Sequence, residues 1–216
     1  MDHAWHVEQR EIDRQISRRG TRHAWESLDP SRTALVVVDV VPFFFQDNPY
    51  LPGIVPRINT IAAALRSAGG TVAWVVPGRP ERRRLDDELR GAEIAEVFRG
   101  SGGEGPVRER LWPELDALDG DVYAEKTTFS AFFPGRSDLH EQLQARGTEN
   151  LVVTGTVTNV CVEGSVRDAH ELGYRVVLVA DACAARRDQD HNAALYTTYR
   201  TFGDVRPTAE VVKLFA

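Results

Sequence analysis

The stretch "NLVVTGTVTNVCVEGSVRDAHELGYRVVLVAD", residues 150–181, decides the fold. It opens with a short run of apolar, β-branched residues, "NLVVTGT" (150–156). Apolar residues at helical spacing follow over 158–173, and "YRVVLVAD" (174–181) is a second β-branched run. Two continuous apolar strands joined by an amphipathic helix make a parallel strand–helix–strand unit, because parallel strands need a crossover of that length. Cys161 falls in the first turn of that helix, in a chain with 2 cysteines in all.

Outward from this unit the same alternation repeats. "TALVVVDV" (33–40) and "TVAWVVP" (71–77) are predicted strands around a helix at 55–70 closed by glycines. "DVYAEK" (121–126) is a third strand, followed by a helix over 135–147. The segment 78–120, rich in Arg, Glu, Gly and Pro, is predicted to be an irregular excursion with one short helix near 85–98. After 181 the pattern continues with a helix over 188–203 and a short last strand near 204–208. Repeated units of this kind cross over right-handedly, so the expected fold is α/β: a three-layer αβα sandwich on a mainly parallel, Rossmann-like doubly wound sheet of about six strands. Its ligand crevice should lie at the carboxyl ends of the strands. Residues 1–30 are expected to be an N-terminal arm, packed on the outside and open to contact with another subunit, and 31–216 a single domain.

Composition narrows the function. The chain has 216 residues, 42% of them hydrophobic and 27% charged, with a net charge of −6. That balance is ordinary for a globular protein and argues against nucleic acid as a partner, since phosphate binding wants a basic face. The cluster "RPERRR" (79–84) is short and isolated, and reads as a solvated loop or an oligomer contact. Nowhere do roughly 18 apolar residues run together, and the N-terminus lacks the apolar core of a signal peptide, so no membrane association is expected and a cytoplasmic location is. With 2 cysteines there is no disulfide framework, and each should be a free thiol.

Three reactive residues stand at three strand ends. Asp39 closes the first strand, Lys126 the third, and Cys161 follows the fourth. A thiol at a helix N-terminus beside an ammonium is expected to have a lowered pKa, giving a thiolate near neutral pH able to attack an acyl carbon. Asp39 can take the thiol proton and return it to a leaving amine, and Lys126 can hold the carboxylate in place. The turn before Cys161 supplies backbone N–H groups for an oxyanion. Taken one at a time these residues have plainer readings, a core cysteine, a capping aspartate and a solvated lysine; Cys183 in "DACAA" has no expected partner and reads as structural.

Over roughly 30–212 the chain resembles the isochorismatase-like cysteine hydrolase superfamily, which includes nicotinamidases, N-carbamoylsarcosine amidases, ureidoacrylate and biuret hydrolases, and isochorismatases. The resemblance is carried by "ALVVVDV", "EKTTFSAF" (125–132), "TGTVTNVCVEGSVRDA" (154–169) and "FGDVRPTAEVV" (202–212). It implies that Asp39, Lys126 and Cys161 are the catalytic triad, that the Thr156–Val157 peptide is cis, and that the amides of Val157 and Cys161 form the oxyanion hole. It also implies a homo-oligomer, dimer or tetramer.

Departures from the family sharpen the expectation. Vinyl-ether-cleaving isochorismatases lack the cysteine, usually having glycine there, so Cys161 favours hydrolysis of a C–N bond in a small amide, ureide, carbamoyl or lactam substrate. Metal-binding nicotinamidases carry an Asp-x-His pair and further histidines after the second strand, whereas "VVPGRPERRR" (75–84) has no histidine. No metal and no cofactor are therefore expected, and no Gly-rich dinucleotide fingerprint follows the first strand. Phe43, Phe44 and Phe45 with Trp74, Phe129 and Phe132 are candidates for an apolar wall, of which Phe44, Trp74 and Phe132 are the named substrate contacts, together with the polar Asn159. Ser130 is a further polar candidate, and His191 and Arg167 read as structural. The competing readings are vinyl-ether hydrolysis by Asp39 and Lys126 alone, and a non-catalytic binder or redox-sensing thiol protein.

Overall fold

The computed structural model describes residues 1–46 and 48–215. Six strands, β1 (Thr33–Val38), β2 (Thr71–Pro77), β3 (Val122–Lys126), β4 (Asn150–Thr156), β5 (Arg175–Ala184) and β6 (Asp204–Arg206), form one sheet in the order β3-β2-β1-β4-β5-β6. Every pairing is parallel. The valine run of β1 has no polar alternation because both faces of the sheet are covered. Val36 and Val38 join Val75, Leu151 and Val153 in one core, while Leu35 and Val37 join Trp74, Val152 and Val177 in the other.

Helices α1 (Gln9–Arg19), α2 (Pro42–Phe45), α3 (Leu51–Ser67), α4 (Arg84–Arg90), α5 (Ala92–Arg99), α6 (Leu139–Gln144), α7 (Glu163–Glu171), α8 (Asp188–Thr197) and α9 (Thr208–Val211) complete the chain. The Leu35 face is covered by α3 through Ile54, Ile58, Ile61 and Leu65. The opposite face is covered by α6 and α7 through Leu139, Leu143, Val166 and Ala169. The result is a three-layer α/β sandwich.

Element boundaries moved where local chemistry overrode periodicity. The helix predicted near 85–98 is two, α4 and α5, broken at Gly91 with φ +81°. The helix predicted over 158–173 opens with a π-helical turn, Thr158–Val162, before α7 begins. The helix predicted over 188–203 likewise ends in a π-helical turn, Thr198–Phe202, and β5 runs on to Ala184 because a bulge between Val153 and Gly155 lets Gly155 pair with Cys183. The arm packs on its own chain: His3 is buried, and Gln15 on α1 donates to the Tyr199 carbonyl at 3.2 Å. The arginines of 79–84 are laced to acids on the excursion, Arg79 to Glu96, Arg82 to Asp87, Arg83 to Asp86 and Arg84 to Glu88.

Strand order reverses between β1 and β4, so the crevice of a doubly wound sheet opens at their carboxyl ends. Gly155 is what lets the two strands close there. Its φ is +115°, and a Cβ on it would fall 2.1 Å from the carbonyl oxygen of Val38. Among the described residues no helix is long and apolar enough to cross a membrane.

Candidate active site

Asp39 follows directly on β1 and has a left-handed backbone, φ 58°. Aspartate tolerates that region better than most residues, at a cost of order 1–3 kcal/mol. Its N–H donates to the Val75 carbonyl at 2.8 Å, and its own carbonyl accepts from Val41 at 2.9 Å. These bonds turn the chain off the sheet and leave the carboxylate wholly buried at the strand end. Lys126, the last residue of β3, sits two strands away, about 10 Å at ordinary strand spacing. Only a long side chain spans that gap, and its Nζ stands 2.8 Å from Asp39 Oδ2 and donates to the Thr128 carbonyl at 3.1 Å.

Cys161 lies in the π-helical turn after β4 and is 6% exposed. The Thr156–Val157 peptide before it is cis. The Val157 carbonyl accepts from Val160 at 2.9 Å and from Val162 at 3.3 Å, so its hydrogen bonds come from the residues on either side of the nucleophile position. Asp39, Lys126 and Cys161 are thus brought together, each setting the charge state of the other two.

Burial dominates that coupling. It pushes the Asp39 carboxyl up, against the pull of the Lys126 ammonium and of hydrogen bonds from Lys126 and Cys161. Burial also opposes the Lys126 charge, but Asp39 and the Cys161 sulfur more than compensate and hold the ammonium above its ordinary range. The expected thiolate is corrected here. Burial first, and the Asp39 charge second, push the Cys161 thiol up to about 12, outweighing Lys126. The resting thiol keeps its proton and stands beside the Asp39 carboxyl, which Lys126 Nζ holds at 2.8 Å. Such a group is suited to receive a proton at the moment of attack rather than in advance.

The named substrate contacts divide. Trp74 is fully buried on the α3 face, and its indole N–H donates to Asp121 at 2.7 Å, so it belongs to the core and not to the crevice. Phe132 is buried against Tyr174, ring centroids 5.7 Å apart, and is likewise core. Trp74 is the middle residue of β2 and Phe132 lies in the loop beyond β3, and packing takes both rings into the core. Phe44 is half-buried beside Phe43, which meets Phe98 of α5 edge-on at 5.7 Å. Phe45 instead stacks on Trp112 at 3.6 Å. Asn159 is exposed in the nucleophile turn and Val157 is half-buried. Phe129 is 52% exposed, beneath the Arg90 guanidinium at 5.4 Å.

Further residues support the site; Ser130 and His191 were named from the sequence, Thr158 and Ser165 were not. Ser130 caps its own turn by accepting the Phe132 N–H at 3.1 Å. Thr158, in the nucleophile turn, bonds the buried His191 at 3.0 Å, and His191 stacks on His3 of the arm at 4.2 Å. Ser165 donates to the Cys161 carbonyl at 2.7 Å and accepts the Ala131 N–H at 2.9 Å. A serine four residues after a helical cysteine hints at the first of these bonds; the partners 33 and 34 residues away had no local signal. Among the described residues no group of three or more His, Cys, Asp or Glu side chains is placed to hold a metal ion.

A three-layer α/β sandwich with a thiol, a carboxylate and an ammonium gathered where strand order reverses defines the class of isochorismatase-like hydrolases. The family model described as Isochorismatase domain matches residues 33–210, and the chain belongs to that family. It is 31% identical over 216 residues to ureidoacrylate amidohydrolase RutB of Stutzerimonas stutzeri (strain A1501), covering 88% of this chain and 85% of that protein. A cysteine hydrolase from Pseudomonas syringae pv. phaseolicola 1448A superposes with a TM-score of 0.77 at 27% identity, over 89% of this chain and 96% of that one. N-carbamoylsarcosine amidase from Thermoplasma acidophilum superposes with a TM-score of 0.65 at 26% identity, over 82% and 96%. The protein is an isochorismatase-family hydrolase.

Proposed function

We propose that this hydrolase is a metal-independent cysteine amidohydrolase acting on a small amide, ureide, carbamoyl or lactam substrate through a thioester. The observation that carries the reading is the buried meeting of Asp39, Lys126 and Cys161, with a protonated thiol beside the carboxyl that Lys126 pairs at 2.8 Å. Asp39 takes the S–H proton as sulfur bonds to the carbonyl carbon. The amides of Val157 and Cys161 hold the oxyanion. On collapse the C–N bond breaks and the proton on Asp39 passes to the leaving nitrogen. Water then gives Asp39 a proton while its oxygen adds to the acyl carbon, the C–S bond breaks and sulfur regains its proton. Lys126 keeps Asp39 ionised between steps.

The relatives support this class, one being named for a ureide and another for a carbamoyl compound. A redox-sensing role fits poorly, because a sensor thiol is accessible and of low pKa, and Cys161 is neither. Vinyl-ether hydrolysis leaves Cys161 without a part. A homodimer or homotetramer accompanies the reading, supported by the exposed Leu85, Leu89, Phe98 and Phe129, and a monomeric mass by light scattering contradicts it; a cytoplasmic location is part of the same proposal. The function is tested by ammonia release from nicotinamide, carbamoyl amino acids, ureides and biuret, and by chromatographic detection of the ring-opened amino acid from lactams, followed by intact-mass analysis of quenched turnover. An acyl adduct on Cys161 is expected; hydrolysis with the adduct on another residue overturns the mechanism.

A further inference from the structure

The Lys126 side chain is aimed by a loop that the sheet does not hold. After β3 the chain runs through 127–133, and the Thr128 carbonyl in that loop accepts from Lys126 Nζ at 3.1 Å. That carbonyl and Asp39 Oδ2, at 2.8 Å, are two groups that hold the ammonium, so a shift of the loop pulls it off the carboxyl. Its internal bonds, Thr128 Oγ1 to the Ser130 carbonyl at 3.0 Å and the Phe132 N–H to Ser130 Oγ at 3.1 Å, shape the loop without fixing it to the nucleophile turn.

Ser165 makes that connection. Its hydroxyl, in the first turn of α7, is wholly buried and has one proton to give and lone pairs to accept with. The proton goes to the carbonyl of Cys161 itself, at 2.7 Å. A lone pair takes the Ala131 N–H at 2.9 Å, from the lysine loop. The first bond alone is the ordinary back-bond of a helical serine to the residue four earlier. The second, to a residue 34 positions away, is not local. Together they close a ring: Cys161 carbonyl, Ser165 hydroxyl, Ala131 and its loop, Thr128 carbonyl, Lys126 ammonium, Asp39 carboxylate. No water replaces the hydroxyl at a site with no exposure, so its loss orphans a donor on the lysine loop and removes a partner from the nucleophile's carbonyl.

We propose that Ser165 is a positioning residue, holding the lysine loop at the distance from the nucleophile turn at which Lys126 and Asp39 face the Cys161 thiol. The proposal rests on the amidohydrolase reading above. Misplacing catalytic groups by about 1 Å costs on the order of 100-fold in rate. Ser165→Ala should therefore lower kcat by about 10- to 100-fold with KM changed less than about threefold, and Ser165→Thr, which keeps the hydroxyl, should recover most of the loss.

The test compares both variants with the parent and with Thr33→Val, which removes another buried hydroxyl at the opposite end of the sheet, on three readouts: kcat and KM on an amide the parent hydrolyses, the pH dependence of Cys161 alkylation by iodoacetamide, and thermal unfolding. Support is a lower kcat and an altered alkylation profile in Ser165→Ala but not in Thr33→Val at comparable loss of thermal stability, with recovery in Ser165→Thr. If Ser165→Ala keeps kcat and alkylation within about twofold of the parent while only its stability falls, the serine is structural and the proposal is wrong. Cys161→Ala run alongside separates the two levels: full activity there removes the amidohydrolase reading, whereas lost activity there with an unaffected Ser165→Ala removes this proposal alone.

Discussion

Replacing Lys126 with Met removes the charge and keeps most of the stem, leaving Asp39 fully buried beside the Cys161 thiol with, among the described residues, no other cation within ion-pair distance. A carboxyl so placed takes up a proton instead of staying ionised. In the unfolded chain it ionises at its ordinary 3.8. One pKa unit is about 1.4 kcal/mol, so holding the group neutral at pH 7 costs the folded variant at most about 4 kcal/mol, within the roughly 3–5 found for breaking a buried pair. The sign follows from proton count. A neutral Asp39 makes the native state bind one proton more than the unfolded state, so stability falls as pH rises, by about 1.4 kcal/mol per unit above the ordinary carboxylate range. In the parent Lys126 opposes that proton uptake, so the carboxyl ionises at a lower pH than in the variant and the slope ends sooner. Urea unfolding of both proteins from about pH 5 to about pH 8 should show a deficit that widens with pH, with amide hydrolysis lost because the base is protonated. A deficit below about 1 kcal/mol, or one constant over that range, would refute the idea that Lys126 keeps Asp39 ionised.

The remaining expectations concern the thiol, the strand junction and the rim. With the Cys161 thiol pushed up to about 12, its alkylation by iodoacetamide should accelerate with pH through at least about pH 9, and a plateau near neutrality contradicts the protonated resting state. Gly155→Ala should lose more than about 3 kcal/mol in thermal unfolding or fail to give soluble protein, since its Cβ meets the Val38 carbonyl oxygen at 2.1 Å; near-parental stability would show that the junction relaxes. Phe44→Ala should raise KM with little change in unfolding temperature, whereas Trp74→Ala should cost about 3–5 kcal/mol and leave KM alone. The opposite pattern would move Trp74 back into the crevice.

How far the chain could be read without coordinates depended on the range of the interaction. Parallel strands covered on both faces leave continuous valine runs, so β1, β2 and β4 were legible at once, and the strand-end rule then placed Asp39, Lys126 and Cys161 on one edge. What periodicity does not encode is pitch and side. The π-helical turn at Thr158–Val162 looks like ordinary helix in sequence, and only the alternation along β2 combined with the positions of α3 and Asp121 puts Trp74 in the core. The thiol's charge state failed for a related reason: proximity to an ammonium and a helix start is local, but the depth of burial that outweighs both is a property of the assembled sheet. Ser165 was invisible as a support, and His191 was read as structural without its partner, because both partners lie far off in sequence.

The central claim, that Cys161 is the nucleophile, is tested most directly by the rate of C–N bond hydrolysis by Cys161→Ala beside the parent, on a substrate the parent turns over and with matched unfolding temperatures. A loss of at least about 1,000-fold is predicted, as for removal of a covalent nucleophile in other enzymes. Activity within about tenfold of the parent would contradict it, and would return the chemistry to Asp39 and Lys126 alone.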